Sequence, residues 1–229
     1  MLLFRLFSGN YEFVQIVLIM LAYVSAILLT ISVHDYVEAR VAVKHGDITP
    51  KILGRYTLAP FAHVDLFGFI CLVLLGFGWS KPLPINMLNF KNGRKSQRTI
   101  YGLGILSNLV FGVIAALLYV LFSRFMPGIV LETQYGQACC LFLYYLSIIN
   151  FVFAFFHLLP LYAFEGYKIL EASLKPDSNF LLFMRKYSFI ILLVLIFTGI
   201  IEMYVQYVPF KLAELSMEGF NELINLIVG

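Results

Sequence analysis

Apolar runs of membrane-spanning length constrain this chain more than any other feature. The stretches 13–33, 64–79, 100–125, 138–159 and 187–208 each carry at most one Asp, Glu, Lys or Arg. About 20 consecutive apolar residues take a helix across a bilayer. A segment in hydrocarbon must satisfy its own backbone N–H and C=O groups, so these runs predict helices. The expected fold class is an all-α polytopic membrane protein, a bundle of about five membrane segments in a multi-pass protein of the cell membrane. Composition agrees: 61% of the 229 residues are hydrophobic and 13% charged, where a soluble domain carries about 25% charged residues.

The run 13–33 follows Arg5 as a signal peptide would, but it is too long for a signal core and is expected to be a retained helix. The run 64–79 is short and holds Gly68, Gly76 and Gly78, which suits a re-entrant element or a short span. Pro209 is expected to end the fifth helix. Beyond it, Leu212, Leu215, Phe220, Leu223 and Ile224 interleave with Lys211, Glu214, Glu218 and Glu222. That pattern fits an amphipathic helix over 210–228, lying at the interface or packed on the bundle.

Basic residues give the orientation. Lys81, Lys91, Arg94, Lys95 and Arg98 mark the 80–99 loop as cytoplasmic, and Lys168, Lys175, Arg185 and Lys186 mark 160–186. The 126–137 loop has no Lys or Arg and is placed outside. Segment 34–63, with Arg40, Lys44, Lys51 and Arg55, also reads as cytoplasmic, which favours a re-entrant second segment. The net charge of +3 comes from these loops and gives no case for a nucleic-acid partner. Cys71, Cys139 and Cys140 show no metal or disulfide spacing.

Two groups of ionisable residues interrupt the apolar background, where such groups are costly and by default find a partner or a function. The first is I-S-V-H-D-Y-V-E-A-R, residues 31–40. Positions i and i+4 share a helix face, so His34 and Glu38 can converge, with Asp35 beside them. The spacing parallels H-E-x-x-H, in which two imidazoles hold zinc and the carboxylate activates water. Against this stands an ordinary polar helix end. The second group, N-F-V-F-A-F-F-H-L-L-P-L-Y-A-F-E-G (150–166), contains Asn150, His157 and Glu165. In a straight helix His157 and Glu165 would sit about 12 Å apart along the axis. A break at Pro160 lets the chain turn back and bring them together. His45 reads as a solvated residue, and His63 as a hydrogen-bonding partner of loop backbone. Tyr101, Ser107 and Asn108 read as helix-packing contacts.

Taken in order, these groups resemble the site-2 protease family of intramembrane zinc metalloproteases, over about residues 20–172 of one domain spanning 1–229. H-D-Y-V-E-A-R-V-A-V-K-H-G-D is similar to the family's H-E-x-x-H helix with its trailing G-D. G-R-Y-T-L-A-P-F-A-H-V-D-L-F-G (54–68) and G-F-G-W-S-K-P-L-P-I-N (76–86), followed by N-F-K-N, match its short bacterial and archaeal branch. Y-G-L-G-I-L-S-N-L (101–109) is similar to the A-G-P-x-S-N segment, with Ile105 in place of proline, and F-H-L-L-P-L-Y-A-F-E-G (156–166) to F-N-L-L-P-x-P-P-L-D-G. The remaining 183–229 is a C-terminal membrane helix and the amphipathic helix.

The resemblance implies roles. The catalytic base falls at Asp35, and the metal ligands at His34, Glu38 and Glu165. A substrate-orienting asparagine falls at His157, with Asn150 a second candidate for that role. Every core position except His34 is thus substituted. Each substitute can still bind metal or move a proton. His157 could supply the nitrogen lost at 38, leaving Glu38 a fourth ligand or a supporting partner. The implied cofactor is Zn²⁺, with Mn²⁺ or Fe²⁺ favoured as carboxylate ligands accumulate. The implied partner is a membrane-embedded protein or peptide substrate, unwound locally within the lipid bilayer, cut in regulated intramembrane proteolysis. Two other classes stand beside the hydrolase: a pseudoprotease that binds transmembrane helices without cutting them, and a carboxylate-lined ion pathway.

Overall fold

The computed structural model describes residues 12–75 and 80–228. Arg5, and Gly76, Gly78 and Trp79 of the second apolar run, lie outside the described residues. In chain order the helices are α1 (Phe13–Lys44), α2 (Thr49–Ile52), α3 (Pro60–His63), α4 (Leu66–Leu75), α5 (Gly93–Phe125), α6 (Pro127–Glu132), α7 (Gln134–His157), α8 (Glu165–Ser173), α9 (Asn179–Phe197) and α10 (Ile200–Val228). A single 3₁₀ turn, Met87–Asn89, precedes α5. The chain is all-α as expected, with an isolated bridge between Val64 and Ser80 the sole β pairing among the described residues.

Four helices, α1, α5, α7 and α9, are long and apolar enough to cross a membrane. The second apolar run yields α4, whose 10 residues reach about 15 Å, half a hydrocarbon core. α1 runs 32 residues, well past the expected end at 33, so His34, Asp35 and Glu38 sit within a helix rather than at its frayed tip. α1, α5 and α7 pack on one another. Their contact uses small residues, Ala26 and Ala115 with Leu146, which let the backbones approach.

Two boundaries differ from the sequence reading. The fifth apolar run is divided: α9 ends at Phe197 and a new helix starts at Ile200. Gly199 stands between them with φ +74°, a conformation other residues adopt only with strain, and the run of apolar residues on either side masked that stop. Pro209 does not end a helix; it lies inside α10. The amphipathic segment packs on the bundle, with Ala213, Met217 and Ile224 against Ala116, Val120, Ile148 and Phe151. Tertiary packing of that apolar face offsets the lost backbone hydrogen bond.

The G-D pair after α1 has a structural task. Asp47, fully buried, accepts from the Thr49 N–H at 3.1 Å, the Thr49 hydroxyl, the Asn86 N–H at 2.8 Å and Asn89 Nδ2 at 2.9 Å. This carboxylate ties the C-terminal end of α1 to the segment that leads into α5. Burial pushes the carboxyl up, but these hydrogen bonds outweigh it and hold it below the ordinary aspartate value. A carboxyl held low when folded contributes fully above its unfolded pKa and loses that contribution as pH falls through the folded value. Asp47→Ala should therefore cost about 2–3 kcal/mol at neutral pH. The gap to wild type should close as pH drops below about 4. Thermal unfolding in detergent across pH 3–7 measures both, and a gap that widens toward acid would contradict the assignment.

Candidate metal centre

Three elements deliver the candidate site. α1 carries His34, α7 ends on His157, and α8 begins with Glu165. After His157 the chain leaves the helix, turns through Pro160 and re-enters at Glu165, the return that brings residues eight apart in sequence to one point. Glu165 occupies the first turn of α8, where a carboxylate is favoured by the exposed N–H groups of the helix start.

His34 Nε2 and His157 Nδ1 each lie 2.7 Å from the same atom, Glu165 Oε1. One potential ligand atom from each residue falls within 4.8 Å of the other two, the one such trio among the described residues. Phe153 stacks on the His157 ring, centroids 4.2 Å apart, and meets His34 edge-on at 5.2 Å. The two imidazoles are thereby fixed against an apolar wall. Burial pushes the Glu165 carboxyl up, but the two histidines more than reverse it, and it lies well below the ordinary glutamate value.

Glu38 stands at the edge of this trio. Its Oε1 is 4.0 Å from His34 Nε2, and the residue is 3% exposed. Among the described residues that oxygen has no hydrogen-bond partner, and neither has Glu165 Oε2. Two orphaned carboxylate oxygens buried beside two imidazoles are what a divalent cation would resolve. The donor set of two nitrogens and one carboxylate fits zinc, with Glu38 close enough to join or support it.

Asp35 faces another group. Its Oδ2 accepts from Arg55 Nη2 at 2.9 Å and lies 3.0 Å from His63 Nδ1. Arg55 Nη2 donates also to the Lys81 carbonyl at 2.9 Å, and His63 Nε2 to the Thr57 carbonyl at 2.8 Å. His63 thus makes the loop-backbone bond expected from its sequence context, and it also reaches Asp35. This buried pairing pins the loops around 54–65 and 80–82 to α1. Asn150 makes none of the trio's contacts. It is fully buried, and its amide donates to Thr30 Oγ1 at 2.9 Å and the Leu146 carbonyl at 2.8 Å, holding α7 to α1. His45 is not free in solvent either: its Nδ1 lies 2.8 Å from Ser96 Oγ.

Sequence reasoning missed Arg55, counted there as one loop charge among several, and Asn108, counted as packing. Asn108 Nδ2 lies 3.1 Å from His34 Nδ1. Both belong to stretches that carry the family resemblance, and a polar residue in an otherwise apolar stretch of that kind was the available signal.

The chain is 34% identical over 176 residues to a Bacillus subtilis (strain 168) protein named "Putative zinc metalloprotease YwhC", a match covering 76% of this chain and 80% of the relative. No protein-family model and no solved structure matches.

Close approach of α5 to the site depends on Gly104. A Cβ there would fall 2.7 Å from Glu38 Oε1 and 2.9 Å from Glu38 Cγ. Gly104→Ala should displace the Glu38 side chain and destabilise the fold by about 1–3 kcal/mol. Thermal unfolding of Gly104→Ala beside Gly102→Ala, where a Cβ meets nothing within 4 Å, separates this clash from helix propensity. Equal stability of the two variants would refute it.

Proposed function

The chain belongs to the same family as YwhC, a zinc metalloprotease by name, and we propose on that footing that it is an intramembrane metallopeptidase of the site-2 type. Its reaction is hydrolysis of a peptide bond in a membrane-embedded substrate. The observation that carries this reading is the meeting of His34, His157 and Glu165 around one point, with Glu38 Oε1 and Glu165 Oε2 buried beside it and without a hydrogen-bond partner among the described residues.

His34, His157 and Glu165 would hold the cation, zinc in the first instance, with Mn²⁺ or Fe²⁺ admitted by the carboxylates. When bound, zinc polarises a scissile carbonyl and makes a neighbouring water a stronger nucleophile. His157 therefore moves from the substrate-orienting role implied by its motif position to that of a ligand, replacing the nitrogen absent at 38. Proton transfer falls to a carboxylate of α1. Asp35 holds the motif position of the base, but its Oδ2 is committed to Arg55 and His63. Glu38 has a free oxygen on the site's side. It would take the proton from the attacking water and return it to the leaving amine. Asp35 and Arg55 would brace α1 and the adjoining loops.

A second reading, a metal-holding pseudoprotease that captures transmembrane helices, draws support from the same Asp35–Arg55 pairing at the base position.

Elemental analysis of the full chain purified in detergent tests the first reading, with about one zinc per chain expected. That metal should be lost in His34→Ala, His157→Ala and Glu165→Ala. Wild-type protein without metal would end both readings. Glu38→Gln should keep the metal but slow cleavage of a membrane-embedded reporter about 10²–10⁴-fold. Metal-loaded wild type that retains the reporter uncut would favour the pseudoprotease.

A further inference from the structure

We propose that Asn108 is the positioning residue of the metal centre: it accepts the Nδ1 proton of His34 and so turns the Nε2 lone pair toward the cation. The proposal rests on the metal reading of His34, His157 and Glu165 and adds a residue that the motif pattern does not assign.

The geometry of the His34 ring sets the problem. Nε2 faces the site, 2.7 Å from Glu165 Oε1 and 4.0 Å from Glu38 Oε1, so it is the nitrogen a cation would meet. A neutral imidazole has one N–H and one lone pair. In the neutral ring that donates from Nε2 to Glu165, Nδ1 is the acceptor. Once Nε2 is a ligand the proton must sit on Nδ1, where it needs an acceptor in the middle of a helix bundle. Among the described residues the hydrogen-bond partner at Nδ1 is the side-chain amide of Asn108, reaching across from α5 at 3.1 Å.

An amide suits both states. As seen, Nδ2 faces Nδ1, and Asn108 Oδ1 is buried with no partner among the described residues, on a residue that is 0% exposed. A half-turn about χ2 exchanges two groups of nearly equal size and sets Oδ1 against Nδ1. The orphaned oxygen then gains the N–H that metal ligation creates. Asn108 thus serves the ring as donor when Nε2 carries the proton and as acceptor when Nε2 ligates, without movement of either helix. Its neighbour Ser107 shows what a packing role looks like at this level: its hydroxyl bonds back to the Gly104 carbonyl of its own helix.

The test uses the full chain in detergent, with zinc affinity read by competition against a chelator and His34 followed by ¹⁵N NMR in histidine-labelled protein. Asn108→Leu keeps bulk and removes the acceptor, and it should weaken zinc binding about 10–100-fold. Asn108→Asp keeps an acceptor and should bind within a few-fold of wild type. On zinc addition the wild-type spectrum should show Nδ1 of His34 protonated and Nε2 ligated, and Asn108→Leu should lose that signature. Equal affinity in wild type and Asn108→Leu overturns the proposal while leaving the metal site intact. So does Asn108→Asp binding as weakly as Asn108→Leu, since packing alone would then explain the loss. Wild-type protein that takes up no zinc overturns the metal reading and this proposal with it.

Discussion

Two imidazoles sharing one oxygen of Glu165 is the interaction on which the rest of this molecule turns. A carboxylate inside an apolar bundle is costly unless charge or hydrogen bonds compensate it. Here the compensation comes from two different helices, His34 on α1 and His157 at the end of α7, both 2.7 Å from Oε1. The chain's return through Pro160 serves that compensation, because it aims the first side chain of α8 back at α1. The close approach of α5 at Gly104 leaves room for Glu38 beside the trio.

The site is over-supplied with carboxylate and under-supplied with partners. Among the described residues Glu38 Oε1 and Glu165 Oε2 have none, while Asp35, one position from His34, pairs through Oδ2 with Arg55 and His63. Neighbouring acidic groups in one helix thus have opposite environments. The paired one suits a brace between α1 and its loops; the unpaired ones suit a cation or a proton. A motif that reads H-D-x-x-E in sequence becomes, in space, one member of the imidazole–carboxylate trio, a strut and an unpaired carboxylate at its edge.

Much of the fold was legible because lipid-like composition leaves few choices. The first, third and fourth apolar runs became helices long enough to span, and residues 66–75 of the short glycine-bearing run form a helix, since length and hydropathy are local properties. The fifth run failed where a local property hid behind another: Gly199 breaks it without disturbing its hydropathy, and Pro209 sits inside a helix that packing sustains. The site was half legible. His34 and Glu38 share a face by helical period, and the proline between His157 and Glu165 announced a turn. Arg55 reads as one more positive-inside charge, because nothing local distinguishes an arginine that will pair with a buried aspartate 20 residues away. Asn108 is hidden for the same reason, its partner being 74 residues distant.

The sequence by itself determined that this chain is a helical membrane-type bundle with its ionisable groups gathered in two short stretches, because periodicity and hydrophobicity act over a few residues. Which of those groups meet was decided by tertiary structure alone. His157 rather than Glu38 joins His34 and Glu165, and Asp35 turns away to Arg55, because hydrogen-bond partners are chosen by helix rotation and loop return. Those are set by how small residues let α1, α5 and α7 approach, a property of the packed bundle that no single segment carries.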